Sequence, residues 1–174
     1  MRASSSRRRC ASGVWPATAW ESPSQLRMSG SQPRAPAGFD EAHSLFNEAL
    51  AIFCEIGADP NVLETKIRTA ECLVIEGRHK EALAILRPLL AEPGPSRAAL
   101  ERLTGIAIVQ SGSKAAKARP YFEASLESAR TAHDRYELAL TLRAIAETNG
   151  ETSDEADAIL EHLGVIAIPR IPLP

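Results

Sequence analysis

The stretch Gly105-Ile-Ala-Ile-Val-Gln-Ser-Gly112-Ser113-Lys114 holds the residue types of a phosphate-binding loop: two glycines, a hydroxyl and a lysine. Such a loop wraps backbone N–H groups round a phosphate after a strand, with four residues between its glycines and Lys ahead of the hydroxyl. Here six residues separate the glycines, Ser precedes Lys, and the preceding residues repeat with helical spacing. The segment reads as a turn between two helices.

The other reactive side chains do not assemble into a motif either. His43, His79, His133 and His162 include no His-Glu-x-x-His pair and no two on one helix face, so each reads as a surface or helix-end residue. Cys10, Cys54 and Cys72 form no Cys-x-x-Cys pair; Cys54 and Cys72 fall in apolar stripes as small hydrophobes, in a reducing compartment. There is no Gly-x-Ser-x-Gly elbow, no Cys has a supporting His in sequence, and the carboxylates are spread over helix exteriors as ordinary solvation. The expectation is a protein with no catalytic residue, no cofactor and no metal, hence no enzyme.

These residues must be positioned by helices. Of the 174 residues 44% are hydrophobic but only 5% aromatic, and Ala, Leu and Ile dominate, which favours close-packed helices over sheets. Residues 1–38 carry six Arg and one Glu, net +5, and the remainder is net −7. An acidic body offers no footprint for phosphate backbones, so nucleic-acid binding by the helical part is disfavoured. Arg7-Arg8-Arg9 is followed by no apolar stretch of signal-peptide length, and no stretch approaches a membrane span, so a cytoplasmic location and no membrane partner are expected.

Three units follow from the pattern. Residues 1–38 are rich in Ser, Arg, Pro and Gly without periodicity and are expected to be disordered. A solvated tail, a basic arm and a start at Met28 are the three readings open for them. Residues 39–164 fall into helix-length segments: Phe39–Ile56, Val62–Glu76, Lys80–Leu90, Arg97–Ser111, Lys117–His133, Tyr136–Glu147 and Ser153–Leu163. In the first, Ala42, Leu45, Phe46, Ala49, Leu50 and Phe53 make one stripe expected to be buried. Pro88 predicts a kink or early stop in its helix, and Pro120 a place near a helix start. Residues 165–174 contain three prolines after Gly164 and are expected to run extended as an apolar tail, capping the last helices or docking into a partner.

One template recurs: Glu41-Ala42-x-x-x-Phe46, Glu81-Ala82-x-x-x-Leu86, Lys117-Ala118-x-x-x-Phe122 and Glu155-Ala156-x-x-x-Leu160, its Ala at intervals of 40, 36 and 38. A small Ala lets two helices approach closely, and the large residue one turn later fills the groove beside it. The preceding helices carry small residues of their own, Ala70 and Gly105, each seven residues before a turn glycine, Gly77 and Gly112. On these residues the chain resembles the tetratricopeptide-repeat family over roughly residues 39–163, and is similar in style to the sensor regions at the C-terminal ends of large bacterial transcription regulators and nucleotide cyclases. The resemblance implies an all-α fold, a right-handed superhelical array of antiparallel helix pairs, about three and a half repeats long. It also implies an interaction module for a protein or peptide partner, without a catalytic site of its own, as part or relative of a larger bacterial regulator. A small-molecule receptor or enzyme using the groove, and a fragment without function, are the alternatives.

In that family the first helices of successive pairs line the concave side. The core stripe Leu63, Ile67, Ala70 and Val74 then leaves Glu64, Arg68, Glu71 and Ile75 on the next face, with Arg102 and Gln110 comparable in the following unit, and these six are the expected partner contacts. The first unit has no first helix upstream, so its apolar residues lack a cover on one side. Either a strip stays open or self-association covers it, which makes a homodimer through this end one outcome.

Overall fold

The computed structural model describes residues 38–92 and 94–173. The expectations for residues 1–37, including Cys10 and the arginine cluster, lie outside the described residues. The described part is all-helical: α1 Phe39–Glu55, α2 Asp59–Ile75, α3 His79–Ala91, α4 Arg97–Gln110, α5 Ala115–Thr131, α6 Arg135–Thr148 and α7 Asp154–His162. None of these helices is long and apolar enough to cross a membrane.

Local chemistry sets the helix ends. Pro60 stands in the first turn of α2, where its missing N–H has no helical partner to lose, so α2 opens three residues earlier than the apolar spacing alone suggests. Asp134 and Ser153 cap α6 and α7, accepting from the backbone N–H of Glu137 at 3.0 Å and Ala156 at 3.2 Å. At the other ends the chain turns through a left-handed residue, Gly77 after α2 and Gly164 after α7, and the next N–H reaches back: Arg78 to the Leu73 carbonyl at 2.8 Å and Val165 to Leu160 at 3.0 Å. The same closure follows α5 with His133 in the left-handed position.

The two prolines sit inside their helices. α3 continues three residues past Pro88 before ending at Ala91, and α5 begins at Ala115, which leaves Pro120 in its second turn rather than at its start. Each proline deprives the carbonyl four residues earlier of its bond, and those residues, Ala84 and Ala116, are exposed, where water can substitute.

Consecutive helices pack on one another throughout, and α4 also touches α2 and α6. α2, α4 and α6 therefore form a row, backed by α3 between the first two and α5 between the last two. The core sits between row and backing: Ile67, Val74, Leu86, Leu103, Ile106 and Phe122 are buried there. Burying each such side chain contributes about 1.5–3 kcal/mol. The template residues Ala82, Ala118 and Ala156 are fully buried, and a Cβ on Gly105 would stand 2.7 Å from the Phe122 ring, which explains the small residue there. In α1 the template is weaker: Ala42, Phe46, Ala49, Leu50 and Phe53 are half-buried, Leu45 is 58% exposed, and the buried residue is His43.

The described residues after Gly164, 165–173, carry no helix or strand, yet they do not leave the body. Val165 and Ile168 pack on Ala139, Ala156 and Leu160, while Ile171 and Leu173 reach the central core cluster. The tail thus runs from α7 back across the row, and its end lies beside the turn after α2, where Pro172 Cγ would be 3.6 Å from a Cβ on Gly77.

Candidate functional site

Within α2, Glu64, Arg68 and Glu71 are spaced four and three apart, so they share a face. Arg68 donates from Nε to Glu64 Oε1 at 2.8 Å and from Nη1 to Glu71 Oε2 at 2.8 Å. Glu71 in turn accepts from Arg102 Nη2 of α4 at 3.3 Å, and Arg102 grips Glu137 of α6 with two bonds, Nε to Oε2 at 2.8 Å and Nη2 to Oε1 at 3.2 Å. A ladder of alternating charge therefore crosses the row: Glu64, Arg68, Glu71, Arg102, Glu137. Its α2 end is exposed and its α4–α6 end is buried.

Four of the six expected contact residues thus meet in one network. The placement of Arg102 is a correction: it was expected on an open face, and it is 3% exposed. Burial disfavours its charge, but the carboxylates of Glu137 and then Glu71 outweigh this and hold its pKa above the usual arginine value. For half-exposed Arg68 the same balance, burial against Glu71 and Glu64, also ends in a raised pKa. Gln110, expected as another open residue, is instead a bracket: its Nε2 donates to the Val74 carbonyl at 2.7 Å and to the Pro172 carbonyl at 3.0 Å. Ile75 is half-buried between α1 and the tail side of the row.

The expectation that carboxylates only solvate helix exteriors fails at the seams. Glu137 and Glu101 are buried, the second accepting from Arg97 Nε at 2.8 Å and from Ser128 Oγ at 2.8 Å. Ser125 Oγ, also buried, donates to the Ala98 carbonyl at 2.8 Å and lies 2.8 Å from Thr141 Oγ1. Neighbouring helices thus meet through satisfied polar groups as well as apolar contact.

A second cluster lies where α1 meets α2. His43 Nε2 bonds Glu76, Cys72 Sγ donates to Glu76 Oε1 at 3.7 Å, and Arg78 Nη1 donates to Glu76 Oε2 at 3.2 Å while lying 3.5 Å from His43 Nε2. This corrects the surface reading of His43 and the apolar reading of Cys72. The ligand atoms of His43, Cys72 and Glu76 all lie within 4.8 Å of one another, the donor set of a soft divalent ion. One observation argues against that chemistry: Arg78 already supplies the cation that Glu76 faces. Burial, followed by Glu76, pushes the Cys72 thiol up to about 11. The cluster is best understood as a polar staple between α1 and α2. Its one readable trace is the i, i+4 pair Cys72 and Glu76; the third member comes from a different helix, 33 residues before Glu76.

Among the described residues the row borders two wide hollows. One, of about 300 Å³, lies at the N-terminal ends of α2, α4 and α6, lined by Glu64, Arg68, Arg97, Ala98, Tyr136 and Glu137 among others. The other, of about 400 Å³, lies between α1 and α2 and is lined by Phe39, Ala42, Phe46, Arg68, Cys72 and Ile75 among others.

Nothing matches. Compared with family models, curated proteins and solved structures, the chain finds no counterpart. The functional reading therefore stands on the row, its ladder and its hollows.

Proposed function

We propose that the protein is an interaction module, not an enzyme, and that it receives a protein segment along the row formed by α2, α4 and α6. The observation that carries this reading is the assembly of one face from helices far apart in sequence: Glu64 and Arg68 from α2, Arg97 from α4 and Tyr136 from α6 border one open hollow. An aromatic and exposed arginines beside half-buried apolar surface are the side chains from which binding anchors are drawn. The described polar clusters join helices: Arg102 holds Glu137, Ser128 holds Glu101 and Arg78 holds Glu76, while Cys72, the thiol beside Glu76 and His43, is buried in the seam between α1 and α2.

The repeated template and the stacked pairs support a superhelical array of the tetratricopeptide-repeat kind, with right-handed coiling. The similarity to sensor regions supports a role within, or descended from, a bacterial regulator. A second copy meeting the exposed side of α1, where Leu45, Ile52 and Ile56 project, is the favoured self-association. Sedimentation of the wild type and of Leu45→Asp tests it: a dimer that the substitution converts to a folded monomer supports the α1 interface, and a monomeric wild type removes it.

For the main reading, peptides selected from a random display library on the full chain should lose at least about tenfold in affinity, or about 1.4 kcal/mol, on Tyr136→Ala or Arg68→Ala. Selected peptides indifferent to both substitutions would place binding elsewhere. Turnover of a metabolite by the purified chain, abolished by changes at Glu64 or Glu71, would replace the module with an enzyme.

A further inference from the structure

The C-terminal tail lies across the row whose face the proposed function uses. Val165, Ile168 and Ile171 are half-buried, while Ile166, Ala167, Pro169 and Arg170 between them are exposed, Ile166 almost entirely at 99%. Burial every third residue is the period of a polyproline-type strand, which has three residues per turn and no internal hydrogen bonds. Pro169-Arg170-Ile171-Pro172 supplies the pre-set backbone angles, and Gln110 reaches out from the end of α4 to the carbonyl of Pro172 at 3.0 Å. A protein side chain reading a backbone carbonyl beside aliphatic pockets is how grooves recognise extended proline-rich segments.

The fit is incomplete. Between the tail and the helices remains a cavity of about 50 Å³, lined by Glu71, Val74, Leu103, Tyr136, Leu140 and Ile168 among others. Atoms facing a void lose their contacts, so a segment that filled it would bind better than the tail does. What favours the tail is its tether, which gives it an effective concentration on the order of mM.

We propose that residues 165–173 are an occupant of this groove in cis, and that the segment which displaces them is an extended stretch with aliphatic residues three apart and prolines between, as in Val-x-x-Ile-Pro-x-Ile-Pro. This rests on the row being a binding face and adds the chemistry of its ligand and a built-in competitor. An occupied groove lowers the apparent affinity for a partner by the fraction of time the tail is bound.

The test uses a fluorescent synthetic peptide of residues 164–174, titrated by anisotropy against the full-length wild type and full-length Ile168→Asp/Ile171→Asp, whose tail can no longer seat. The variant should bind the peptide at least about tenfold more tightly than the wild type, and a peptide carrying the same two aspartates should not bind it. Equal binding to wild type and variant, or none to a folded variant, overturns the proposal. If the double variant does not fold, Ile171→Ala takes its place, and no gain in peptide binding there is equally fatal. A concentration-dependent wild-type dimer that Ile171→Ala dissolves would mean that tails are exchanged between copies, and would overturn the assignment in cis. Library peptides that need Tyr136 but bind wild type and variant alike would leave the binding face standing and remove only its competitor.

Discussion

In α4, 11 of 14 residues are buried; in α1, which has 17, His43 alone is. Large apolar side chains do not explain the difference, because α1 carries Leu45, Phe46, Leu50, Ile52 and Phe53 against Leu100, Leu103, Ile106 and Ile108 in α4. Neighbours explain it. α4 is packed by α2, α3, α5 and α6, whereas α1 packs chiefly on α2. Apolar side chains contribute only where other elements remove them from water, so in a stacked array each helix draws its stability from its position.

The polar groups follow the same division. At α4 the guanidinium of Arg102 is enclosed and bidentate on Glu137, while toward α1 the corresponding polar groups of Glu64 and Arg68 stand half in solvent. Breaking an enclosed pair strands a charge, whereas breaking an exposed one lets water in. The largest effect is therefore expected at Arg102→Ala, a loss of about 3–5 kcal/mol in urea unfolding, against about 0–1 kcal/mol for Arg68→Ala. Comparable losses at the two would mean that the ladder is equally wet along its length.

Next comes Gly105→Ala, whose new methyl must push the Phe122 ring from a 2.7 Å approach. A loss of about 1–3 kcal/mol is expected. That would be a net destabilisation although Ala is the better helix former by about 1 kcal/mol. A net gain in stability would show that α4 and α5 are less tightly apposed than their contacts indicate.

At the seam between α1 and α2, Cys72 should react with iodoacetamide more slowly than a solvent-exposed thiol at neutral pH, read site by site by mass spectrometry. Its raised pKa favours the neutral thiol in the folded state. The resulting stability is complete below the ordinary value of 9.0 and is lost as pH rises toward about 11. The His43 staple should therefore loosen above pH 9, earlier in alkali than Cys72→Ala does, and a pH-independent difference between the two would dismiss the linkage.

The smallest effects belong to the outer side of α1. Leu45→Ser and Ile52→Ser should each change monomer stability by no more than about 0.5 kcal/mol. A larger loss would mean that this face is covered in solution, and sedimentation of the same samples would show by what.

Much of the architecture was legible because helices announce themselves locally. Spacings of three and four, turn glycines and capping residues located all seven helices within a few residues, and the template alanines at 82, 118 and 156 are fully buried. The early start of α2 at Asp59 depends on Pro60 tolerating the first helical turn, which apolar spacing does not report. The candidate site was half legible. Glu64, Arg68 and Glu71 lie on one helix at helical spacing, so their shared face follows from the backbone period. Arg102 and Gln110 were assigned to the right row with the wrong exposure, since burial depends on Glu137 and on a tail that returns from 62 residues away.

The sequence by itself determined that the described part is helical, where each helix lies to within a few residues, and which stripe of each helix is apolar, because these depend on residues a turn or two apart. Only the tertiary structure decided which stripes are covered, that Arg102 is clasped between α2 and α6, that His43 is drawn to Cys72 and Glu76, and that the tail crosses the row instead of leaving it. Each of those outcomes needs two or more distant segments in contact, and a buried charge is tolerated only where its counter-charge has been brought to meet it.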